Sequence, residues 1–211
     1  MVFGWQMNKK FKVKDHYFNK AKKENFLARS IYKLEEIDQK YGVIKPGDQV
    51  VDLGYHPGSW IQYTSKRVTD TGSVIGIDIR PLNKQLVHLK NVNLLEMSIF
   101  DVTKPGDIGA DGYFDVVLSD MAPNTTGIRS VDQDRSLALV EKIFEILPVF
   151  LKENGNLVIK VFDSQSAQDY LKSQKHLFEN LSFLKPKSTR SVSKEFFVIG
   201  KKYLKNEPNS P

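Results

Sequence analysis

Five short apolar runs, separated by segments long enough for helices, leave few folds open to this chain. The runs are QVVDL, SVIGID, VNLLEM, YFDVVLSD and NLVIKVF. Nearly continuous apolar runs of this length are typical of strands buried on both faces, and the segments between them can supply the crossovers that parallel strands require. The order predicts an α/β protein with five parallel strands and helices on both faces of the sheet.

The end of the chain breaks this pattern. Two further runs, Leu181 to Lys185 and Glu195 to Tyr203, read as strands. The connection between them is too short for a parallel crossover, so we expect an antiparallel pair. No internal repeat is visible, and we expect residues 204–211 to form a flexible tail.

Helices are predicted from apolar periodicity. Leu27, Ile31, Leu34, Ile37 and Tyr41 recur at spacings of three and four and indicate a helix that ends at Gly42. A second stripe predicts a long helix capped near Asp132, and a third helix is expected from about Ala167 to Phe178.

Composition narrows the class of protein. The chain has 211 residues, enough for one domain with a substantial core, and no cysteine. The lack of cysteine removes disulfides and thiolate chemistry and is compatible with a reducing compartment. The N-terminus has no apolar signal region and no stretch approaches 18 apolar residues, so we expect a cytoplasmic protein that does not enter membranes.

Positive charge is concentrated at the N-terminus. The net charge up to Lys33 is +7, whereas the rest of the chain carries −1. A basic segment of this kind is typical of a protein that binds a polyanion such as RNA. On charge alone, a solvated lysine tail explains the pattern equally well.

A glycine-containing loop, GYHPGSW, follows the first strand and leads into a helix. It matches neither the dinucleotide motif G-x-G-x-x-G nor a phosphate-binding P-loop. A nucleoside-type ligand is favoured over a simple tight turn, because Asp78 ends the next strand about 20 residues later, where an acid can accept hydrogen bonds from ribose hydroxyls. Alternatively, Asp78 only caps the following turn. His56 is interpreted as a loop residue.

Charged side chains should meet at one edge of the sheet. Asp120 and Lys160 lie at or near the carboxyl ends of the fourth and fifth strands, and a reversed last strand would bring Glu195 to the same edge. A lysine inside the run VIKVF either reaches solvent from an edge or has a function, since lysine is seldom buried unpaired. Lys33, on the first predicted helix, can cover this edge.

In its motifs the chain resembles the FtsJ-type ribose 2′-O-methyltransferases, which use S-adenosylmethionine (SAM). The resemblance covers about Asp15 to Tyr203. It is carried together by KDHYFNKAKKENFLARSIYKL, VVDLGYHPGSW, IGID, LSDMAPN, VIKVF and SKEFFVIG, in the family's order and spacing. It implies a seven-stranded Rossmann-like sheet, mostly parallel, with the last strand antiparallel between strands five and six.

The resemblance also assigns residues. It implies a catalytic tetrad of Lys33, Asp120, Lys160 and Glu195 and no metal. The cofactor-binding residues it implies are Asp52, Gly54, Pro57, Gly58, Ser59, Trp60, Asp78, Ser98 and Asp120. The basic segment supplies the residues expected to bind RNA: Lys9, Lys10, Lys12, Lys14, Lys20, Lys22, Lys23 and Arg29.

The chain departs from the family pattern at three places. The cofactor loop usually reads A-P-G-G-W, whereas here Tyr55 and His56 precede the proline and Ser59 replaces a glycine. Ser98 stands where an aspartate commonly lies near the adenine, and Leu27 stands where a second arginine is frequent. The two changes near the cofactor put its affinity in question.

The implied activity is transfer of a methyl group from SAM to a ribose 2′-hydroxyl of RNA, with S-adenosylhomocysteine as the product. The expected partner is large-subunit ribosomal RNA or the ribosomal subunit. The protein itself is expected to be a monomer. The alternatives are a tRNA methyltransferase and a catalytically weak, RNA-binding ribosome-assembly factor. A nicotinamide-dependent dehydrogenase is excluded by the missing glycine motif. We expect a basic extension over residues 1–25 and a methyltransferase domain over residues 26–203.

Overall fold

The computed structural model describes residues 9–190 and 193–205, and of residues 9–15 the backbone alone. It contains helices and strands in the alternating order that the apolar runs predict. The helices are α1 (Lys9–Lys23), α2 (Ile31–Tyr41), α3 (Ser59–Val68), α4 (Arg129–Phe150) and α5 (Gln165–Ser173). The strands are β1 (Gln49–Leu53), β2 (Ser73–Asp78), β3 (Val92–Glu96), β4 (Phe114–Ser119), β5 (Leu151–Phe162), β6 (Phe178–Leu184) and β7 (Glu195–Tyr203).

All seven strands form one sheet in the order β3-β2-β1-β4-β5-β7-β6. The first five are parallel, and β7 runs antiparallel to both of its neighbours. The predicted sheet is therefore confirmed, including the insertion of the last strand between the fifth and the sixth. This insertion places the first residue of β7 opposite the last residue of β5, in the pair Glu195 and Phe162.

Helices cover both faces of the sheet. On one face, Ile143 and Leu147 of α4 and Leu171 of α5 pack on β4 and β5. On the other face, Leu34 of α2 and Ile61 of α3 pack with the opposite side chains of the same strands. The central strands are thus buried on both sides, which explains why their sequences are nearly continuous apolar runs rather than alternating ones.

The N-terminal part differs from the prediction in two ways. Residues 9–23 form α1, although the sequence there shows no clear apolar period. Among its described side chains, Ala21 is buried in a small cluster with Ile31 and Tyr32, so a narrow contact suffices to dock the helix. In addition, α2 begins at Ile31, because the backbone N–H of Leu27 donates to the side chain of Gln62 instead of joining a helix.

Other predicted boundaries shift by a few residues. Asp132 lies inside the first turn of α4, and its carboxylate accepts hydrogen bonds from the N–H groups of Thr126 and Gly127, so it orders the loop before the helix rather than marking its start. The predicted third helix ends early, at Ser173, because the chain enters β6 at Phe178. The end of α2 at Gly42 is confirmed, with φ of 58°. None of the described helices is long and apolar enough to cross a membrane.

Candidate active site

The sheet brings the predicted catalytic residues to one edge. Asp120 directly follows β4, Lys160 lies two residues before the end of β5, and Glu195 is the first residue of β7. Lys33 reaches the edge from α2, with its Nζ 5.5 Å from the centre of the Phe197 ring. Four charged groups from four elements of the fold therefore lie together, although no two of them are near in sequence.

Within this group the contacts form two pairs. Nζ of Lys33 donates to Oε1 of Glu195 at 2.5 Å. Nζ of Lys160 donates to the backbone carbonyl of Asp120 at 2.5 Å and lies 3.0 Å from its Oδ1. Only 8% of the Lys160 side chain is exposed. The buried charge of Lys160 is therefore stabilised by Asp120 rather than by solvent.

The two pairs line two different cavities. Lys160 and Asp120 line a cavity of about 470 Å³, which we call the cofactor cavity. Lys33 and Glu195 line a second cavity of about 380 Å³, which we call the acceptor cavity. The predicted tetrad thus lines two separate spaces, one through each pair.

The charges of the tetrad influence one another. Burial alone would raise the pKa of Glu195, but the neighbouring ammonium groups of Lys33 and Lys160 outweigh it and hold that pKa below its ordinary value. Glu195 is therefore a carboxylate at neutral pH. An ionised Glu195 can orient both lysines electrostatically.

The glycine loop is shaped by close backbone contacts. A Cβ on Gly54 would lie 2.1 Å from Cγ of Met121, and one on Gly58 would lie 2.3 Å from a methyl of Leu86, with φ of 111° at Gly58. Asp78 fixes the same loop, because its carboxylate accepts the N–H of His56 at 2.9 Å and the N–H of Arg80 at 2.9 Å. Glycine suits both positions, since each has a positive φ and a side chain at either one would require a neighbouring side chain to move.

The predicted cofactor residues divide between two spaces. Gly54, Asp78, Ser98 and Asp120 line the cofactor cavity. A small cavity of about 40 Å³ adjoins it, because Gly54 and Asp120 line both. The remaining lining of the small cavity includes Asp52, Pro57, Ser59 and Trp60.

Two of these side chains face the N-terminal part of the chain. Ser59 Oγ lies 2.9 Å from Ser30 Oγ, and Trp60 Nε1 donates to the carbonyl of Ser30. They therefore connect the glycine loop to the segment that carries Arg29 and Lys33. Gly58 lines neither cavity.

Asp52 is the most unusual group of the site. It is 1% exposed, and neither of its carboxylate oxygens has a hydrogen-bond partner among the described residues. Burial, followed by the charges of Asp120 and Asp78, raises its pKa well above the ordinary value. A buried carboxyl without a partner needs an explanation, and the small cavity that Asp52 lines has room for a water or a ligand atom that would supply one.

We expect Asp52→Asn to stabilise the ligand-free protein at pH 7. When the pKa of an acid is higher in the folded protein than in the unfolded chain, the protein loses stability as the pH rises from the unfolded-state pKa, about 3.9, towards the folded-state pKa. The amide removes this loss, so the variant's advantage in free energy of unfolding should vanish near pH 4. Urea unfolding at several pH values measures it, and equal stability at pH 7 would contradict it.

Sequence reasoning missed several lining residues. Ile79 and Phe100 are large apolar side chains exposed at the cofactor cavity, and each closely follows a strand, which is a signal that could have identified them. Arg80 also lines the cofactor cavity, and its Nη1 lies 3.1 Å from Nδ1 of His56. Arg190 and Ser193 line the acceptor cavity but lie in a connection that carries no sequence pattern.

The predicted RNA-binding residues have different surroundings. Lys22 and Lys23 are exposed at the end of α1, whereas Lys20 lies 3.9 Å from Glu24 and over the ring of Tyr32. Arg29 lines the acceptor cavity and donates to the carbonyl of Ser188. The side chains of Lys9, Lys10, Lys12 and Lys14 lie outside the described residues.

Comparison with known proteins gives the same family as the motifs. The model of the FtsJ-like methyltransferase family matches residues 26–203. The chain is 45% identical over 193 residues to ribosomal RNA large subunit methyltransferase E of Bdellovibrio bacteriovorus, covering 90% of this chain and 97% of that protein. It is 42% identical to the protein of the same name from Brachyspira hyodysenteriae, covering 92% and 98%.

Solved structures agree with the fold. A crystal structure described as a putative ribosomal RNA methyltransferase from Plasmodium falciparum superimposes with a TM-score of 0.71 at 25% identity, covering 85% of this chain and 99% of that one. Fibrillarin of Aeropyrum pernix, solved with natively bound S-adenosyl-L-methionine, shares the fold alone, with a TM-score of 0.54 at 14% identity over 75% of this chain and 68% of that one. With its sequence, sheet and family model in agreement, the chain belongs to the FtsJ-like methyltransferase family.

Proposed function

We propose that this protein transfers a methyl group from SAM to a ribose 2′-hydroxyl of large-subunit ribosomal RNA. The observation that carries the proposal is the tetrad, of which one pair lines the cofactor cavity and the other lines the acceptor cavity. Relatives that are 45% and 42% identical are named ribosomal RNA large subunit methyltransferases, which supports this choice of RNA. An acceptor with a 2′-hydroxyl must be RNA rather than DNA.

The residues of the cofactor cavity fit SAM. The positively charged end of SAM has a counterpart in the carboxyl of Asp120, whereas Asp52 lines only the adjoining small cavity and has no hydrogen-bond partner among the described residues. Asp78 can accept hydrogen bonds from the ribose hydroxyls, and the apolar side chains of Ile79 and Phe100 suit an adenine ring. Ser98 Oγ accepts the N–H of Phe100, so its own hydrogen remains available for a ring nitrogen. When bound, SAM supplies an electrophilic methyl group.

In this proposal Lys160 is the general base. The 2′-hydroxyl is a weak nucleophile near neutral pH, so a base must take its proton as the oxygen reacts. Once its ammonium group has given up a proton, Lys160 receives the hydroxyl proton at Nζ, and the carbonyl of Asp120 holds the side chain in place. The carboxylate of Asp120, 3.0 Å away, then stabilises the resulting ammonium. Lys33 and Glu195 pair with each other and shape the side of the site that faces the acceptor.

The acceptor cavity suits a phosphodiester. Arg29 and Arg190 both line it, and the pKa of Arg29 is lowered by burial and then by the charge of Arg190. A phosphate between the two guanidinium groups would relieve this repulsion and accept their hydrogen bonds. Arg29 follows the basic helix α1, so this cavity continues the positively charged N-terminal surface.

We propose different roles for the N-terminal extension and for the rest of the chain. Residues 1–25 form an RNA-binding extension and residues 26–203 form the catalytic domain. The extension contacts the domain through α1, where the ring of Tyr17 packs against that of Tyr32. Residues 206–211 of the proposed tail lie outside the described residues. We propose a monomer that acts in the cytoplasm. The tRNA and assembly-factor alternatives are not favoured, given the complete tetrad and the names of the relatives.

Transfer of labelled methyl from SAM tests the proposal. Large ribosomal subunits, free large-subunit ribosomal RNA and tRNA, all lacking the modification, are supplied in parallel. We expect label in the large-subunit RNA, as free RNA or within the subunit. Label in tRNA alone would support that alternative, and binding of RNA without transfer would support the assembly factor.

Replacement of Lys22 and Lys23 by glutamine should weaken RNA binding without changing methyl transfer from bound RNA. Each lysine that neutralises a phosphate contributes about 0.7 to 0.9 to the slope of log K against log salt concentration, so loss of both should reduce the slope by roughly 1.4 to 1.8. Affinity measured from 50 to 200 mM salt tests this. Lys84→Gln with Lys90→Gln, two exposed lysines beyond β2, is the matched control. An unchanged slope would show that the end of α1 does not contact RNA.

A further inference from the structure

A recess on the far side of Glu195 carries two aromatic rings. Phe183 of β6 and Phe196 of β7 have ring centres 5.8 Å apart and planes inclined at 54°. They line a cavity of about 350 Å³ between the β6–β7 hairpin and α5, which we call the aromatic recess. Phe183 is 44% exposed on the edge strand of the sheet. Edge strands normally carry charges or are covered, so an exposed phenylalanine here needs an explanation.

The recess is continuous with the proposed active site. Asp163 lines both the aromatic recess and a third cavity of about 350 Å³, which we call the edge cavity. Glu195 and Ser193 in turn line both the edge cavity and the acceptor cavity. A chain passing from the acceptor cavity over the carboxyl edge of β5 therefore reaches the aromatic recess without leaving the surface. Phe196 is also the residue next to Glu195, with Cα atoms about 3.8 Å apart.

Cations line each cavity of the route, together with the carboxyl groups of Glu195, Asp132 and Asp163. Lys33, Arg29 and Arg190 line the acceptor cavity, and Arg129 and Lys194 line the edge cavity. Lys172 and Lys175 line the aromatic recess, where Lys172 also pairs with Asp169 at 3.1 Å. Rings for stacking together with cations along a groove are the features by which proteins hold single-stranded nucleic acid. Two rings offer too little apolar area for a stable protein interface, which favours RNA as the occupant.

We propose that the aromatic recess stacks an unpaired base of the same RNA whose ribose enters the acceptor cavity, with Lys175 and Lys172 near its phosphates. This inference rests on the proposed function and extends it. It makes the β6–β7 hairpin a second contact for the substrate strand, separate from the basic helix α1. It also requires the strand near the target nucleotide to be unpaired, since a base inside a duplex cannot reach the rings.

Three replacements of Phe183 test the proposal on large-subunit RNA that lacks the modification. Phe183→Trp retains a ring, Phe183→Leu retains apolar volume without a ring, and Phe183→Ala removes both. Base stacking on an aromatic side chain is lost on alanine substitution, so KM and Kd for RNA should rise about tenfold in the alanine and leucine variants. The tryptophan variant should remain within about twofold of the wild type. kcat and the calorimetric affinity for SAM should not change, because Phe183 lies outside the catalytic site.

Tyr113→Ala is the matched control. Tyr113 is an aromatic residue of similar exposure, 41%, and it precedes β4, at the amino-terminal ends of the parallel strands. Equal RNA affinity of the wild type and Phe183→Ala would overturn the proposal, as would a leucine variant that binds like the wild type. A change in oligomeric state with unchanged RNA affinity would instead assign the recess to a second copy and also overturn it. Failure of the wild type to methylate RNA would concern the proposed function, so the two failures are distinguishable.

Discussion

Lys160→Arg is expected to lower kcat for methyl transfer by about 10² to 10⁴, the contribution typical of a positioned general base. Arginine keeps the positive charge and can still pair with Asp120, but it does not lose its proton near neutral pH. The charge of the protonated, resting lysine would therefore be preserved while the base is lost. If Lys160 acted only as a fixed cation, arginine would support turnover close to that of the wild type.

Single-turnover kinetics with saturating SAM and RNA measure this effect, with calorimetry confirming that SAM still binds. The matched control is Lys142→Arg in α4. Lys142 has a similarly buried side chain, 9% exposed, and pairs with Glu145 far from the tetrad. A lysine-to-arginine change that is harmless at Lys142 and severe at Lys160 separates catalysis from the general cost of a larger cation. Near-normal turnover of Lys160→Arg would reject the role of Lys160 as base.

Asp120→Ala is expected to reduce methyl transfer by roughly a hundredfold or more, because loss of its carboxylate leaves Lys160 without the group that orients it, and small misplacements of catalytic groups have effects of that size. The backbone carbonyl that accepts from Lys160 remains in the variant. RNA affinity should change far less, since Arg29, Arg190 and the basic helix α1 provide the RNA contacts in this account.

Comparison of two measurements on the same variant decides this point. Methyl transfer is followed at saturating RNA, and RNA affinity is measured separately by direct binding at fixed salt. Asp134→Ala, an exposed acid on α4, controls for the loss of one negative charge. A fall in RNA affinity in proportion to activity would show that Asp120 contributes to RNA binding and that the division of roles is wrong.

The fold was predictable where local sequence and tertiary structure agree. Glycine at position 42 ends α2 because its left-handed φ of 58° suits a residue without a side chain. The reversed β7 was predictable because the connection after β6 is too short for a crossover. Helix α1 was not, since its stability depends on contacts such as that of Tyr17 with Tyr32, which no local period reveals.

The candidate site was predictable in its membership but not in its pairing. Strand ends and the family motifs placed Lys33, Asp120, Lys160 and Glu195 at one edge. That Lys33 pairs with Glu195 depends on how α2 docks on the sheet, whereas the contact of Lys160 with the carbonyl of Asp120 depends on the register of β4 and β5. Arg190 was missed because its position at the site depends on tertiary contacts of its loop, such as that of Ser188 with Arg29.

The position of the transferred methyl group tests the central claim most directly. Large-subunit RNA labelled from SAM is hydrolysed in alkali, which cleaves RNA through free 2′-hydroxyls and leaves a bond intact where that oxygen is methylated. We predict that the label appears in one alkali-stable dinucleotide, with the methyl on its ribose, and that Lys160→Arg lowers its initial rate of formation at least about a hundredfold. Label on a base, or a near-normal rate of formation with Lys160→Arg, would contradict this assignment.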